Sequence, residues 1–217
     1  MITNKTTKIL LMKFENICDI NRGKLPRENG IYFFKLKKNI NLNGFENLNN
    51  DRIIYVGRAA GKSNTIFGRF GDHVENNNGY TSSSNSTFRR SLGAILKKEL
   101  KLIPYPRMSA HNKPNHIANY NFIRRITTLE EYITKHIDDY GKEEDLTAWM
   151  SLNLKFYYKV SNDPKGLESE LIEQYRPSLN KSIYNPLSDK LFNKLRKKCR
   201  AEAKDYCLKT YGSLPNN

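Results

Sequence analysis

Cysteine and long apolar runs are both scarce in this sequence of 217 residues. The three cysteines, Cys18, Cys199 and Cys207, are too few and too unevenly placed to form a disulfide framework. No apolar run reaches the roughly 18 residues of a membrane span, and the apolar stretch near the N-terminus is too short for a secretory signal. We therefore expect a cytoplasmic protein with reduced thiols and no membrane partner.

Acidic residues are also in the minority, and they are unevenly distributed. The chain has 37 Lys and Arg residues against 22 Asp and Glu residues, which gives a net charge of +15. The segment 130–145 has a net charge of −5, so the remainder of the chain carries +20. This asymmetry favours a broad positive surface that binds a polyanion. A second interpretation is that the excess lysines serve only solubility.

The apolar content is low, at 38% of the residues, but it is sufficient for a folded core. We expect one domain over residues 1–217, since a chain of this length fits a single domain with additions. The predicted additions are an insertion at about 76–155 and a basic C-terminal helix at about 187–208.

Short β-rich runs predict a small sheet. The runs 30–36 and 52–57 are joined by an Asn- and Gly-rich segment, which is typical of a β-hairpin with a long loop. The run 154–160 alternates and is rich in aromatic residues, so it predicts a further strand. The segment 103–121 contains three prolines, and we predict irregular structure there.

Apolar residues at helical spacing predict the helices between these strands. Ser86 or Thr87 is placed to cap one of them, because a hydroxyl at this position accepts a hydrogen bond from a free backbone N–H. Pro177 is placed to end another. The predicted helices cover 64–76, 88–102, one or two segments within 128–150, 167 to about 176, and 187–208.

Two tripeptides stand in the first two predicted strands, Gly30-Ile31-Tyr32 and Tyr55-Val56-Gly57. Pairing of these strands would place two tyrosine hydroxyls close together. Arg69 and His73 follow four residues apart, and therefore share one face of the predicted helix. A glutamate, Glu168, comes later in the chain.

These residue types fit phosphodiester hydrolysis. The reaction needs an activated water, a cation on the phosphate and stabilisation of the developing charge. Arg69 offers a planar fork that matches phosphate oxygens. Glu168 offers a hard oxygen ligand for Mg²⁺. A tyrosine can deprotonate water only if a nearby cation lowers its pKa well below about 10.

The two tripeptides, followed by Arg69 and His73 and then by Glu168, resemble the GIY-YIG nuclease family. Val56 stands in place of the isoleucine in the second tripeptide of the family pattern. The family's closing pattern resembles the segment 167–180, where Leu171-Ile172, Tyr175, Pro177 and Asn180 place the metal-binding glutamate on Glu168 rather than on Glu170.

The resemblance implies an α+β fold, with a small, mainly antiparallel, three-stranded sheet flanked by helices. It implies a metal-dependent endonuclease that uses Mg²⁺ or Mn²⁺ and acts on double-stranded DNA. Tyr32 would be the general base or would orient the water, Tyr55 would support the water and phosphate, and Arg69 would bind the phosphate. His73 would assist proton transfer, Glu168 would hold the metal, and Asn180 would order the site.

The basic residues outside the motifs are candidates for DNA-backbone contacts. Arg58 follows the second tripeptide, at a position where relatives often carry a cation. The other predicted contacts lie on the helices 88–102 and 187–208, and they are Arg89, Arg90, Lys97, Lys98, Lys194, Lys197 and Lys198.

The biological role is left open at this stage. A separate chain with insertions between motifs resembles restriction-type nucleases, and a repair or mobile-element nuclease is an alternative. A different class of function is a non-catalytic nucleic-acid-binding protein that retains the fold. A homodimer is also compatible with the sequence.

Overall fold

The fold comes from a computed structural model that describes residues 12–38, 40, 52–62, 64–74, 83, 86–108, 114–124, 143–180 and 186–211. Within these residues, the strands are β1 (Glu15–Asn16), β2 (Gly30–Leu36), β3 (Ile53–Ala59), β4 (Leu102–Met108), β5 (Pro114–Arg124) and β6 (Leu154–Val160). The α-helices of the same described ranges are α1 (Ile66–His73), α2 (Thr87–Leu96), α3 (Glu144–Asn153), α4 (Pro164–Tyr175) and α5 (Pro186–Tyr211). Two short 3₁₀ helices, Ile17–Asp19 and Arg22–Lys24, follow β1.

The central sheet has the strand order β1-β6-β2-β3, and all its pairs are antiparallel. Strand β2 lies in the middle, so its tyrosine Tyr32 has a neighbour on each side, Tyr158 of β6 and Gly57 of β3. The predicted α+β class is confirmed. The sheet has one strand more than the three predicted, because the two-residue strand β1 pairs with the outer side of β6.

Side chains alternate across this sheet and build two separate apolar layers. Tyr32, Phe34 and Phe156 belong to the larger layer, which also includes residues of α1, α2 and α3. Ile31 and Phe33 face the other way and pack with Leu171 of α4. The period of two in a strand thus sends the tyrosine of the first motif toward α1, while α4 covers the opposite face.

A second sheet consists of β4 and β5 alone, paired as an antiparallel ribbon. The prediction of irregular structure over 103–121 is wrong for 103–108 and 114–121, which form strands, while 109–113 lie outside the described residues. Strand β4 accommodates Pro104 and Pro106 in a two-stranded ribbon, with register shifts after Pro106. Prolines are tolerated in such edge strands because half of the backbone N–H groups need no partner in the sheet. The ribbon packs against α5.

Two of the predicted helices differ from the observed ones. Helix α2 ends at Leu96 rather than near Leu102, and Lys101 adopts a positive φ of 52° before β4 begins. Helix α5 runs from Pro186 to Tyr211 rather than over 187–208, and its buried side includes Phe192, Cys199 and Ala203, whereas Leu191 is 42% exposed. No helix within the described part of the chain is long and apolar enough to span a bilayer.

The two motif glycines are explained by close packing. A Cβ atom on Gly57 would lie 2.4 Å from Cζ and Oη of Tyr32, whose ring crosses the glycine on the adjacent strand. A Cβ atom on Gly30 would lie 2.3 Å from the carbonyl oxygen of Lys159 on β6. Each glycine therefore allows a close approach that any side chain would prevent.

We expect Gly57→Ala to displace the Tyr32 ring and to lower the free energy of unfolding by about 1–3 kcal/mol, as overpacked cores do. Urea denaturation measures this change. Gly23→Ala is the control, since the nearest neighbour of its added Cβ is the movable Asn21 side chain at 3.2 Å. Equal stability of the two variants would show that the ring has room to move.

Candidate active site

Tyr32 is the centre of the site. Its side chain is only 1% exposed, and its hydroxyl lies 2.7 Å from Nε2 of His73. Nη2 of Arg69 donates a longer hydrogen bond of 3.4 Å to the same oxygen. The structure thus brings Tyr32 of the first motif together with Arg69 and His73 of α1.

Helix α1 holds Arg69 and His73 on one side because the two residues are one turn apart. Thr65 caps the helix, and its hydroxyl accepts a hydrogen bond from the backbone N–H of Gly68. Arg69 also donates to Asp72 at 2.6 Å, which orients its guanidinium from the same helix.

His73 is completely buried and has partners for both ring nitrogens. Nε2 faces Tyr32, and Nδ1 lies 2.8 Å from Oγ of Ser86. Burial lowers the pKa of His73 well below its usual value, and the charges of Arg69 and Arg89 add to this effect. The imidazole is therefore neutral at physiological pH, with one nitrogen a donor and the other an acceptor.

The second tyrosine, Tyr55, lies on β3 opposite Phe34, and its ring is 6.2 Å from that of Tyr32. It is less buried than Tyr32. Burial raises the pKa of Tyr55, Arg69 lowers it, and the carboxylate of Glu168 raises it. Burial also raises the pKa of Tyr32 well above its ordinary value, with the charge of Tyr55 as the next cause. Both phenols are protonated at neutral pH.

Glu168 reaches this cluster from α4, which packs against β3. Its carboxylate is partly exposed and lies 3.6 Å from Nη1 of Arg58. Burial raises the pKa of Glu168, whereas the cations Arg58 and Arg69 lower it. The carboxylate is thus accessible, close to two arginines and in electrostatic contact with Tyr55.

A divalent cation fits the donors present. No group of three or more His, Cys, Asp or Glu side chains is arranged for a metal among the residues that the structure describes. Zinc, which takes several protein ligands, would need such a group. Mg²⁺ needs only one or two carboxylates and keeps water or substrate phosphate as its other ligands, so Glu168 alone is a suitable anchor.

Asn180 supports the site through side-chain hydrogen bonds to the backbone of β3. Its amide accepts a hydrogen bond from N–H of Val56 at 2.8 Å and donates one to the carbonyl of Val56 at 2.7 Å. The neighbouring N–H of Leu179 bonds to the carbonyl of Ile54. These bonds cover the outer edge of β3, so Asn180 fixes the strand that carries Tyr55 and is itself only 8% exposed.

Arg89 does not lie where the sequence analysis placed it. We predicted a solvent-facing DNA contact, but the side chain is completely buried and forms an ion pair with Glu143, with Nη2 and Oε2 2.9 Å apart. The same guanidinium bonds to the carbonyl of His73 and to Oγ1 of Thr147. Glu143 also accepts hydrogen bonds from Ser83 and from the N–H of Phe122. Arg89 is therefore a structural residue that fixes the end of α1.

The other predicted contacts fall into two groups. Lys98, Lys194, Lys197 and Lys198 are exposed, as a DNA-facing residue must be. Arg90 and Lys97 are only partly exposed: Arg90 bonds to the carbonyl of Ser83 and to Thr87, and Lys97 forms an ion pair with Glu202.

Sequence reasoning missed the roles of Ser86, Glu143 and Asp72. Ser86 was identified only as a possible helix cap, and it does cap α2. The pairing of Glu143 with Arg89 spans 54 residues, and no local pattern signals it. Asp72 could have been found, because it stands three residues after Arg69 on the same helix.

The fold and the site together define an α+β domain in which a buried tyrosine, a histidine and an arginine adjoin one accessible carboxylate. The sequence model described as the GIY-YIG catalytic domain matches residues 30–142 and 139–202, which is more than half of the chain. The chain belongs to the GIY-YIG family, and this membership supports a nuclease of the endonuclease type. Comparison with curated proteins and with solved structures found no match.

We expect Glu143→Gln to lower the free energy of unfolding by about 3–5 kcal/mol, because it leaves the buried guanidinium of Arg89 without its counter-charge. Urea denaturation measures the loss. Asp205→Asn is the matched control, since its ion pair with Lys209 is exposed on α5 and contributes little. If Glu143→Gln lowers the free energy of unfolding as little as Asp205→Asn does, the buried guanidinium of Arg89 does not need the counter-charge of Glu143.

Proposed function

We propose that the chain is a metal-dependent endonuclease that hydrolyses phosphodiester bonds of double-stranded DNA. The observation that carries the proposal is the contact of Tyr32 with His73 and Arg69, with Tyr55 and Glu168 beside it. The competing class, a binding protein without catalysis, offers no use for a buried network that ends at an accessible carboxylate.

We assign the contact with the reacting water to Tyr55. Tyr32 is too deeply buried to contact a substrate. Tyr55 is more accessible, and the charge of Glu168 raises the pKa of Tyr55. This assignment exchanges the two roles that the family resemblance suggested. Tyr32 then supports Tyr55, and the fully buried His73 acts on Tyr32 and not on the DNA.

Glu168 would hold the metal, Mg²⁺ or Mn²⁺, together with phosphate oxygens of the DNA. When bound, the cation would stabilise charge on the phosphate and increase the acidity of water and of Tyr55. Arg69 is held by Asp72 and is positioned to bind the phosphate. Arg58 is 45% exposed and can move from Glu168 to a phosphate when the metal replaces it.

The DNA-facing surface is proposed to include the exposed side of α5. Its buried side packs on the β4–β5 ribbon and α2, which fixes the direction of its lysines. A two-stranded ribbon is narrow enough for the major groove of DNA, so the ribbon is the element we propose for reading sequence. This arrangement favours a restriction-type enzyme, and discrete fragments from a defined DNA would support that role.

We expect Glu168→Gln to abolish Mg²⁺-dependent cleavage of plasmid DNA while DNA binding persists, since the loss of negative charge removes the metal anchor and lessens repulsion of phosphate. Gel assays with Mg²⁺ and with EDTA measure cleavage, and fluorescence anisotropy measures binding.

Glu170→Gln is the matched control, because this residue lies two positions further on α4 and is exposed. Near wild-type cleavage by the Glu168 variant together with an inactive Glu170 variant would place the metal on Glu170.

We expect the combined change of Lys194, Lys197 and Lys198 to Gln to weaken binding equally on all DNA sequences. The slope of log affinity against log salt concentration should flatten by about one unit for each lost phosphate contact. Lys209→Gln is the control, since this lysine is on α5 but pairs with Asp205. An unchanged slope in the triple variant would remove α5 from the DNA interface.

A further inference from the structure

Ser86 occupies a position between a helix terminus and the active-site histidine. It is the N-cap of α2, and its hydroxyl oxygen accepts a hydrogen bond from the backbone N–H of Arg89 at 3.0 Å. The same oxygen lies 2.8 Å from Nδ1 of His73. Ser86 is completely buried, so water cannot satisfy either group.

The two contacts together determine where the hydroxyl proton lies. A serine hydroxyl has one proton to donate, and the N–H of Arg89 cannot receive it. The remaining contact of the hydroxyl is Nδ1 of His73. Since buried polar groups are hydrogen-bonded with few exceptions, the Ser86 proton is donated to Nδ1.

This assignment fixes the other side of the imidazole. The ring is neutral, so a proton-free Nδ1 leaves the hydrogen on Nε2. Nε2–H then donates to Oη of Tyr32, which also receives Nη2–H of Arg69. With two donors on its oxygen, the phenol of Tyr32 has its own proton left for another acceptor, and Tyr55 is the neighbouring phenol, with its ring centroid 6.2 Å away. A proton directed to Tyr55 lowers the pKa of Tyr55 and so favours its ionised form.

We propose that Ser86 is a positioning residue that holds His73 in its Nε2–H tautomer, so that Tyr32 donates to Tyr55. The opposite tautomer would turn the Tyr32 proton toward His73 and would withdraw this hydrogen bond from Tyr55. The use of the tautomer in catalysis rests on the proposed nuclease function, whereas the tautomer itself is a property of the free protein.

The test measures the tautomer directly. Long-range ¹H–¹⁵N NMR spectra distinguish protonated from unprotonated ring nitrogens in the ¹⁵N-labelled protein without DNA. The chain has four histidines, and the His73 signals are assigned by elimination with His111→Gln, His116→Gln and His136→Gln. We expect protonated Nε2 and unprotonated Nδ1 in the wild type. Protonated Nδ1 would overturn the proposal.

Two variants separate the effect of Ser86 on the His73 tautomer from its effect as the N-cap of α2. Ser86→Gly keeps most of the capping stability, because glycine is within a few tenths of a kcal/mol of serine at an N-cap. It lacks the hydroxyl, so we expect a mixture of tautomers and a cleavage rate lower by about 10–100-fold, as with other groups that orient a histidine. Retention of the single wild-type tautomer in this variant would contradict the proposal.

Thr65→Gly is the matched control, because it removes the cap hydroxyl of α1, which accepts a hydrogen bond from the N–H of Gly68 and does not bond to His73. We expect the wild-type tautomer there. If the protein shows the expected tautomers but never cleaves DNA, the proposed function fails and the assignment of Ser86 stands. If Thr65→Gly also shows a mixture of tautomers, the loss of any helix cap disturbs His73, and the specific role of Ser86 is contradicted.

Discussion

The hydrogen bond between Oη of Tyr32 and Nε2 of His73 is the contact on which the arrangement of the candidate active site depends. It joins the middle strand of the sheet to the end of α1. A tyrosine at the centre of a sheet can reach that helix only if its neighbour on the next strand has no side chain, and Gly57 meets this condition. The motif glycine and the motif tyrosine are thus two parts of one packing requirement.

The end of α1 is supported by residues outside the central sheet. Arg89 and Glu143 form a buried ion pair that also holds the carbonyl of His73 and the N–H of Phe122. Removal of either partner would leave an uncompensated charge, so the pair ties α1, α2 and β5 together. Arg89 is one of the cations of the chain and is completely buried, so the positive charge does not all lie on the surface.

Local sequence patterns were sufficient to predict the central strands, but they were insufficient to predict contacts between residues that are far apart in the sequence. Strands β2 and β6 have their predicted bounds because alternation and aromatic content act within each segment. The β4–β5 ribbon was missed, since its stability comes from pairing and from α5 and not from its proline-containing sequence. The burial of Arg89 depends on Glu143, which no spacing rule connects to it. Motif order identified Tyr32 and Tyr55, and the roles that we propose for them rest on the difference in their burial.

The central claim is that Tyr55, supported by Tyr32 and Arg69, must lose its proton to activate water. The pKa of Tyr55 is raised by burial, so the ionised fraction is small at neutral pH and grows with pH. The pH dependence of single-turnover cleavage at saturating Mg²⁺ tests this claim most directly. The account predicts a rate that rises by up to about tenfold per unit between about pH 6 and 9, and is lost in Tyr55→Phe. A rate that levels off near pH 7, as for a histidine base, would contradict it.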